Sequence, residues 1–304
     1  MTLTQLRYLV AIDRHRSFTR AAEACGVAQP TLSTQIRKLE EELEVTLFHR
    51  DRFRVRPTDI GAAIVEKAER ILAQVDQLRV RAAEAEGEVA GELRLGVIPT
   101  VGPFVLPRSL PALVRRHPGL SVVVTELTTS DLLNELLAGR IDAALLATAE
   151  EVAGLEQEPL FDEPFVAYLS SNHPLLDRKA LRREDLKMDD LWLLREGHCF
   201  RDQVLDLCGN LPGTDEVSYP LRFESGNLHT LKRLVDETGG MTLLPKLAMD
   251  ELGEEERSRV RPFVEPAPVR TVTLVHGRTY MRRAARDAFV ATLLETIGMD
   301  AISR

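Results

Sequence analysis

Residues from Ile60 to about Glu86 form the most constraining stretch of this chain. Ile60, Ile64, Ala68, Ile71, Val75, Leu78, Ala82 and Ala85 recur at alternating threes and fours, with no proline among them, and Gly87 and Gly91 follow. That spacing predicts one continuous helix with an apolar seam approximating a heptad repeat. A helix this long divides the chain into a small N-terminal part and a large C-terminal part. Its seam needs a cover. Either the seam packs on its own domain or a second copy of the helix covers it. No other nearby segment supplies a matching stripe, so the expectation is a dimerising linker.

The two parts differ in charge. The whole chain carries −8, but residues 1 to 60 hold ten Lys/Arg and eight Asp/Glu, a balance of +2, leaving −10 for the remainder. Arg50, Arg52, Arg54 and Arg56 concentrate the positive charge at the end of the head. A basic head on an acidic body suits local phosphate binding. Charges interrupt every long apolar run, so no membrane span is expected. Met1 to Val10 lacks the pattern of a secretory leader, and the expected location is cytoplasmic. The three cysteines do not have zinc-type spacing, and neither a metal nor a cofactor is expected.

Within the head, Leu3, Leu6, Leu9 and Val10 mark an amphipathic first helix. Thr19, preceded by Phe18, is the expected N-cap of a short second helix containing paired alanines, and Gly26 suits the turn after it. A third helix starts near Ala28 with Pro30 in its first turn, and Leu32, Ile36, Leu39 and Leu43 give it one buried stripe. Gln29, Thr31, Ser33, Thr34 and Arg37 lie on or beside its polar side. Thr46 to Thr58 reads as a basic hairpin, a wing beside that helix. This is the plan of a winged helix-turn-helix; a three-helix bundle with a solvated face has the same helical pattern. On the DNA-binding reading, Gln29, Thr31, Ser33 and Thr34 approach base edges, while Arg37, Arg50 and Arg54 contact phosphates. Cys25 lies among alanines and reads as a packed thiol.

From Glu92 onward, strand and helix patterns alternate, predicting two α/β lobes joined by two crossings and a mostly parallel sheet. The expected fold class is thus α+β multidomain. Its three parts are a winged helix-turn-helix at 1–58, a linker helix and hinge at 59–90, and a two-lobed α/β domain at 91–304. Lobe I covers about 91–162 and 267–304, and lobe II about 163–266. Thr100 and Thr129 fall after the first and second strands of that domain, at the carboxyl edge where such sheets place their sites.

Cys199 and Cys208 bracket one predicted helix. Nine residues separate them by roughly 13 Å along a helix axis and turn them to opposite faces, whereas a disulfide needs Cα atoms within about 7 Å. If the two ever bond, the helix between them must come apart. His198 and Arg201 flank the first thiol and can stabilise its thiolate. Either cysteine can equally be a small core residue.

Five blocks in register resemble the winged helix-turn-helix of LysR-type transcriptional regulators. They are Phe18-Thr19-Arg20-Ala21-Ala22, Gln29-Pro30-Thr31-Leu32-Ser33, Ile36-Arg37-Lys38-Leu39-Glu40, Leu47-Phe48-His49-Arg50 and Thr58-Asp59-Ile60-Gly61. The two-lobed C-terminal pattern resembles the periplasmic-binding-protein-like effector domain of the same family. Ile98-Pro99-Thr100-Val101-Gly102-Pro103, Gly197-His198-Cys199 and Arg201-Asp202-Gln203, ending at Cys208, are similar to its hydrogen-peroxide-sensing members. That resemblance implies a peroxidatic Cys199 and a resolving Cys208 that form a reversible disulfide. Thr100, Thr129, His198, Asp202 and Arg270 match the surroundings of the reactive thiol. It implies a non-enzymatic regulator with promoter DNA, hydrogen peroxide, a cytosolic dithiol reductant and RNA polymerase as partners, and a homodimer assembling to a homotetramer. Two other readings stay open: a regulator binding a small-molecule inducer between its lobes, and a thiol peroxidase.

Overall fold

The computed structural model describes residues 1–50, 55–84, 89–147, 151–208, 226–277 and 283–298. Contacts divide it into two compact units, one built on Met1–Gly87 and the other on most of the remainder.

The first unit opens with α1 (Leu3–His15), capped by the Thr2 side chain in a reciprocal pair with Gln5. Helix α2 (Phe18–Ala24) starts at Ser17, whose side chain accepts from the Arg20 backbone N–H at 3.4 Å. The N-cap is therefore Ser17 and not Thr19. Both residue types can cap, and the extended backbone of Ser17 decides. Helix α3 (Gln29–Leu43) buries Leu32, Ile36 and Leu39 completely, and β1 (Phe48–Arg50) pairs antiparallel with β2 (Val55–Pro57). Cys25 is half-buried at the end of α2 against this core, and burial pushes its thiol up.

Helix α4 (Asp59–Glu84) is continuous over its described length. Its seam is not uniform. Val65 and Ala68 are buried in the core of the head, whereas Ile71 is 37% and Leu78 67% exposed. Ala68 therefore belongs to the head and not to an open seam, and the exposed apolar residues lie on both sides of it, Ile60 before and Ile71 and Leu78 after.

In the second unit, β3 (Gly91–Val97), α5 (Gly102–Arg116), β4 (Leu120–Glu126), α6 (Thr129–Leu137) and β5 (Ala143–Leu146) make a parallel three-stranded core, with β3 between β4 and β5. The 15-residue strand β6 (Leu155–Leu169) then runs on past this core, with an irregularity between Pro159 and Phe161. Helices α7 (Cys199–Leu207) and α8 (Leu228–Thr238) precede β7 (Met241–Pro245), and α9 (Glu254–Ser258) precedes β8 (Val260–Pro262). Strand β9 (Val269–Gly277) returns antiparallel to both β5 and β6, and α10 (Arg283–Ile297) closes the described chain.

The strand order is β4-β3-β5-β9-β6-β7, with β8 also on β6. Only the β3–β4 and β3–β5 pairings are parallel; the other four in this sheet are antiparallel. The expectation of a mostly parallel sheet is thus corrected. One long strand and its antiparallel return make both crossings between the halves, and those two strands add antiparallel ladders that a chain of βαβ units would lack.

Candidate functional site

The carboxyl ends of β3, β4 and β5 lie on one edge because the three strands are parallel. Thr100 follows β3, Thr129 opens α6 after β4, and Ala147 follows β5. Cys199 meets this edge from the first turn of α7, with His198 as N-cap. The Thr129 hydroxyl and the Ala147 backbone both favour the thiolate form of this sulfur, and Arg270 acts on it by charge. The Thr129 hydroxyl is buried with no hydrogen-bond partner among the described residues.

Arg270 is placed by sheet register. It stands directly opposite Glu163 across the β6–β9 ladder, and both side chains are 1% exposed. Arg270 Nη2 and Nε donate to Glu163 Oε2 at 2.7 and 3.0 Å, while Glu163 Oε1 accepts from the Leu247 backbone N–H at 3.1 Å. The remaining donors reach Thr100: Nη1 donates to Oγ1 at 3.1 Å and Nη2 to the carbonyl at 2.7 Å. The guanidinium also lies 5.1 Å from the Phe200 ring centroid. A buried cation held by a carboxylate, a threonine and an aromatic face is a fixed charge beside the thiol.

Burial nevertheless pushes the Cys199 thiol above its ordinary range, against the opposing pull of Thr129, Arg270 and the Ala147 backbone; Asp202 adds a further upward push. The expected roles of the flanking residues change accordingly. Arg201 donates to the Leu194 carbonyl at 3.0 Å. His198 is buried, and that burial, reinforced by the Arg195 charge, pulls its imidazole below the ordinary histidine range. Its ring packs against Gly226, where a Cβ would fall 2.5 Å from Nε2. Asp202 is exposed and works against the thiolate. Adjacency in sequence puts these three near the thiol, but burial and partners assign the cation to Arg270.

Two residues were missed by the sequence reading. Gln203 donates from Nε2 to the Ala147 carbonyl, and its Oε1 is buried with no partner among the described residues. It lies four residues after Cys199, on the same helix face, and that spacing was the available signal. Glu163 left no such signal, being 107 residues from Arg270.

Cys208 is the C-cap of α7, its backbone N–H bonded to the Val204 and Leu205 carbonyls. All three cysteines are free thiols. Helix α7 is anchored by Phe200 and Val204, both 2% exposed, and the Phe200 ring lies 5.3 Å from that of Phe165. Beside the site, a cavity of about 370 Å³ is lined by Pro99, Leu127, Thr128, Arg195, His198 and Asn227, among others.

In the head, Gln29, Thr31, Thr34 and Arg37 are exposed along α3, Ser33 is half-buried, and the Thr34 hydroxyl donates to the Pro30 carbonyl at 2.8 Å. Arg50 ends β1; Arg54 lies outside the described residues.

Known proteins share both parts of this arrangement. Residues 3–62 match the bacterial regulatory helix-turn-helix proteins of the lysR family, and residues 86–298 match the LysR substrate binding domain. The hydrogen peroxide-inducible genes activator of Pectobacterium carotovorum subsp. carotovorum is 40% identical over 97% of this chain and 96% of its own length. The DNA-binding transcriptional dual regulator OxyR of Escherichia coli K12 is 38% identical over 91% of this chain and 89% of its own. Among solved structures, a full-length cysteine-to-aspartate OxyR from Pseudomonas aeruginosa is 34% identical, with a TM-score of 0.82 over 100% of this chain and 98% of that one. A peroxide-bound cysteine-to-serine OxyR from Corynebacterium glutamicum is 32% identical, with a TM-score of 0.64 over 98% of this chain and 92% of that one. The chain belongs to the LysR family of bacterial regulatory helix-turn-helix proteins, in the branch of the OxyR hydrogen peroxide-inducible genes activators.

Proposed function

We propose that this chain is a peroxide-responsive transcriptional regulator switched by Cys199 and Cys208. The observation that carries the reading is the placement of two free thiols at opposite ends of one helix anchored by Phe200 and Val204. The first of them faces a threonine hydroxyl, a backbone donor and a fixed arginine. The Cys199 thiolate attacks one peroxide oxygen, the O–O bond breaks, and the departing oxygen takes a proton and leaves as water. Cys199 is then a sulfenic acid. The Cys208 thiol displaces its hydroxyl as a second water and forms the disulfide. Two thiols are oxidised and one peroxide is reduced to two waters. A dithiol reductant in the cytoplasm returns the two electrons. The protein turns over once per reduction and is a switch, not an enzyme.

Thr100, Thr129 and Gln203 supply hydroxyl and amide groups for a peroxide beside the sulfur, and Arg270 orients Thr100 while favouring the thiolate. On this reading residues 1–58 bind promoter DNA and residues 59–90 link and dimerise. Residues 91–304 sense peroxide and assemble the dimers into a tetramer, and contact with RNA polymerase follows on the promoter. No described helix is long and apolar enough to cross a membrane. A small-molecule inducer is the second reading, favoured by the cavity beside His198. The test is promoter binding before and after a brief peroxide pulse. Cys199→Ser should keep DNA binding and lose the response, and Cys25→Ser should respond as wild type. A wild-type response in Cys199→Ser would place the sensor elsewhere.

A further inference from the structure

Glu40 sits in the recognition helix α3, yet its carboxylate is turned to the wing. Its Oε1 accepts from the backbone N–H groups of Leu47 and Phe48, at 2.9 and 3.4 Å. These are the last residue before β1 and the first residue of it, and both side chains are buried. On the other side, the Leu47 carbonyl accepts from the Thr58 N–H at 3.0 Å, and the Thr58 hydroxyl donates to the Thr46 carbonyl at 2.7 Å. The same hydroxyl accepts from the Gly61 N–H at 2.9 Å, in the first turn of α4. A Cβ at Gly61 would fall 2.0 Å from the Leu47 oxygen, so the linker helix approaches the wing backbone more closely than any side chain would allow. The recognition helix and the linker helix thus grip one peptide, at Leu47, from opposite sides. Beyond that peptide, β1 and β2 carry the exposed pair His49 and Arg56 opposite one another.

We infer that Glu40 is a positioning residue for DNA binding, and that its clasp on Leu47, closed from behind by Thr58 and Gly61, sets the wing charges at phosphate height beside the recognition helix. Glu40 itself touches no DNA. The inference rests on the reading of the head as the DNA-binding part. It predicts an effect opposite to simple electrostatics. Deleting a carboxylate near DNA should tighten binding by charge alone; deleting a positioning group should weaken it and lose the wing contact.

The test is a salt titration of full-length protein on a mixed-sequence B-form duplex, read by fluorescence anisotropy, with amide exchange of α3 as the folding control. Arg56→Ala should reduce the slope of log K against log salt by about 0.9, the loss of one phosphate contact. Glu40→Ala should reduce the slope by a similar amount and weaken binding, and the double variant should lose no more than either alone. Glu40→Gln should keep the wild-type slope and bind at least as tightly as wild type, because its amide oxygen still accepts both backbone bonds and only the charge is lost. Thr58→Val, which opens the clasp from the linker side, should move in the same direction as Glu40→Ala, and it decides the question if Glu40→Ala loses α3 protection. A wild-type slope for Glu40→Ala beside a reduced slope for Arg56→Ala overturns the inference alone; so does a double variant whose losses sum, or a Gln variant as weak as Ala. A wild-type slope for Arg56→Ala removes the wing contact itself, and the inference with it.

Discussion

Replacing Phe200 with alanine should loosen the anchor of α7 and speed disulfide closure. The ring is 2% exposed, packed at a tilt against Phe165 and beneath the Arg270 guanidinium, one residue after Cys199. Truncating a buried phenylalanine costs about 3–5 kcal/mol where the site cannot collapse. The docked helix bears that loss and the released segment does not. The equilibrium for local opening should therefore shift by roughly two to four powers of ten at 1.4 kcal/mol per decade. Quenched-flow alkylation after a peroxide pulse reports closure, and amide exchange over residues 201–207 of the reduced protein reports opening. Both should accelerate in Phe200→Ala. Phe200 also supports Arg270, so sulfenic acid formation must be timed separately in a Cys208→Ser background to isolate the chemical step. Wild-type exchange together with wild-type closure would refute the view that helix release gates the disulfide.

The chemical step should depend on pH in a way set by burial. Burial raises the Cys199 thiol and Thr129 opposes it, so Thr129→Val should raise it further. A hydrogen bond to a charged group is worth ~1.5–3 kcal/mol, so sulfenic acid formation at neutral pH should slow about tenfold or more and its rate–pH curve should move to higher pH. A curve that keeps its position would remove Thr129 from the thiolate's support. Charged substitutions at the exposed Ile71 and Leu78 should convert a sedimenting dimer to monomer; a dimeric Ile71→Glu, Leu78→Glu protein would put the subunit contact elsewhere.

The head was legible in the sequence because its signals are local. The spacing of Leu32, Ile36 and Leu39 alone defines the buried face of α3. Its one error, Thr19 for Ser17, arose because two capping residues lie two positions apart and only the backbone chooses between them. The α7 helix between the two cysteines was legible for the same reason; which of its apolar residues anchor it was not. Phe200 and Val204 carry the deep burial, while Leu205 and Leu207 are only half-buried. The electrostatics of the site were the least legible. Arg201 and His198 are neighbours of Cys199 in sequence, yet the cation that acts on the thiol arrives from β9 through a register that faces it with Glu163. A chain read residue by residue gives charges their sequence neighbours; a sheet gives them partners across a ladder. The sheet itself misled by its alternation, since a strand of 15 residues reads from sequence as several short ones.

On the proposed function, oxidation joins Cys199 to Cys208 and unfolds the helix between them. One experiment addresses it directly: amide exchange and disulfide mapping in the same digest of full-length protein, before and after a brief peroxide pulse. The expected result is a Cys199–Cys208 linkage with Cys25 unmodified, and a sharp loss of protection over residues 200–208 that appears only with the disulfide. In Cys208→Ser, Cys199 should reach sulfenic acid while the helix keeps its protection. A Cys199–Cys208 disulfide formed with protection unchanged over residues 200–208 would contradict it.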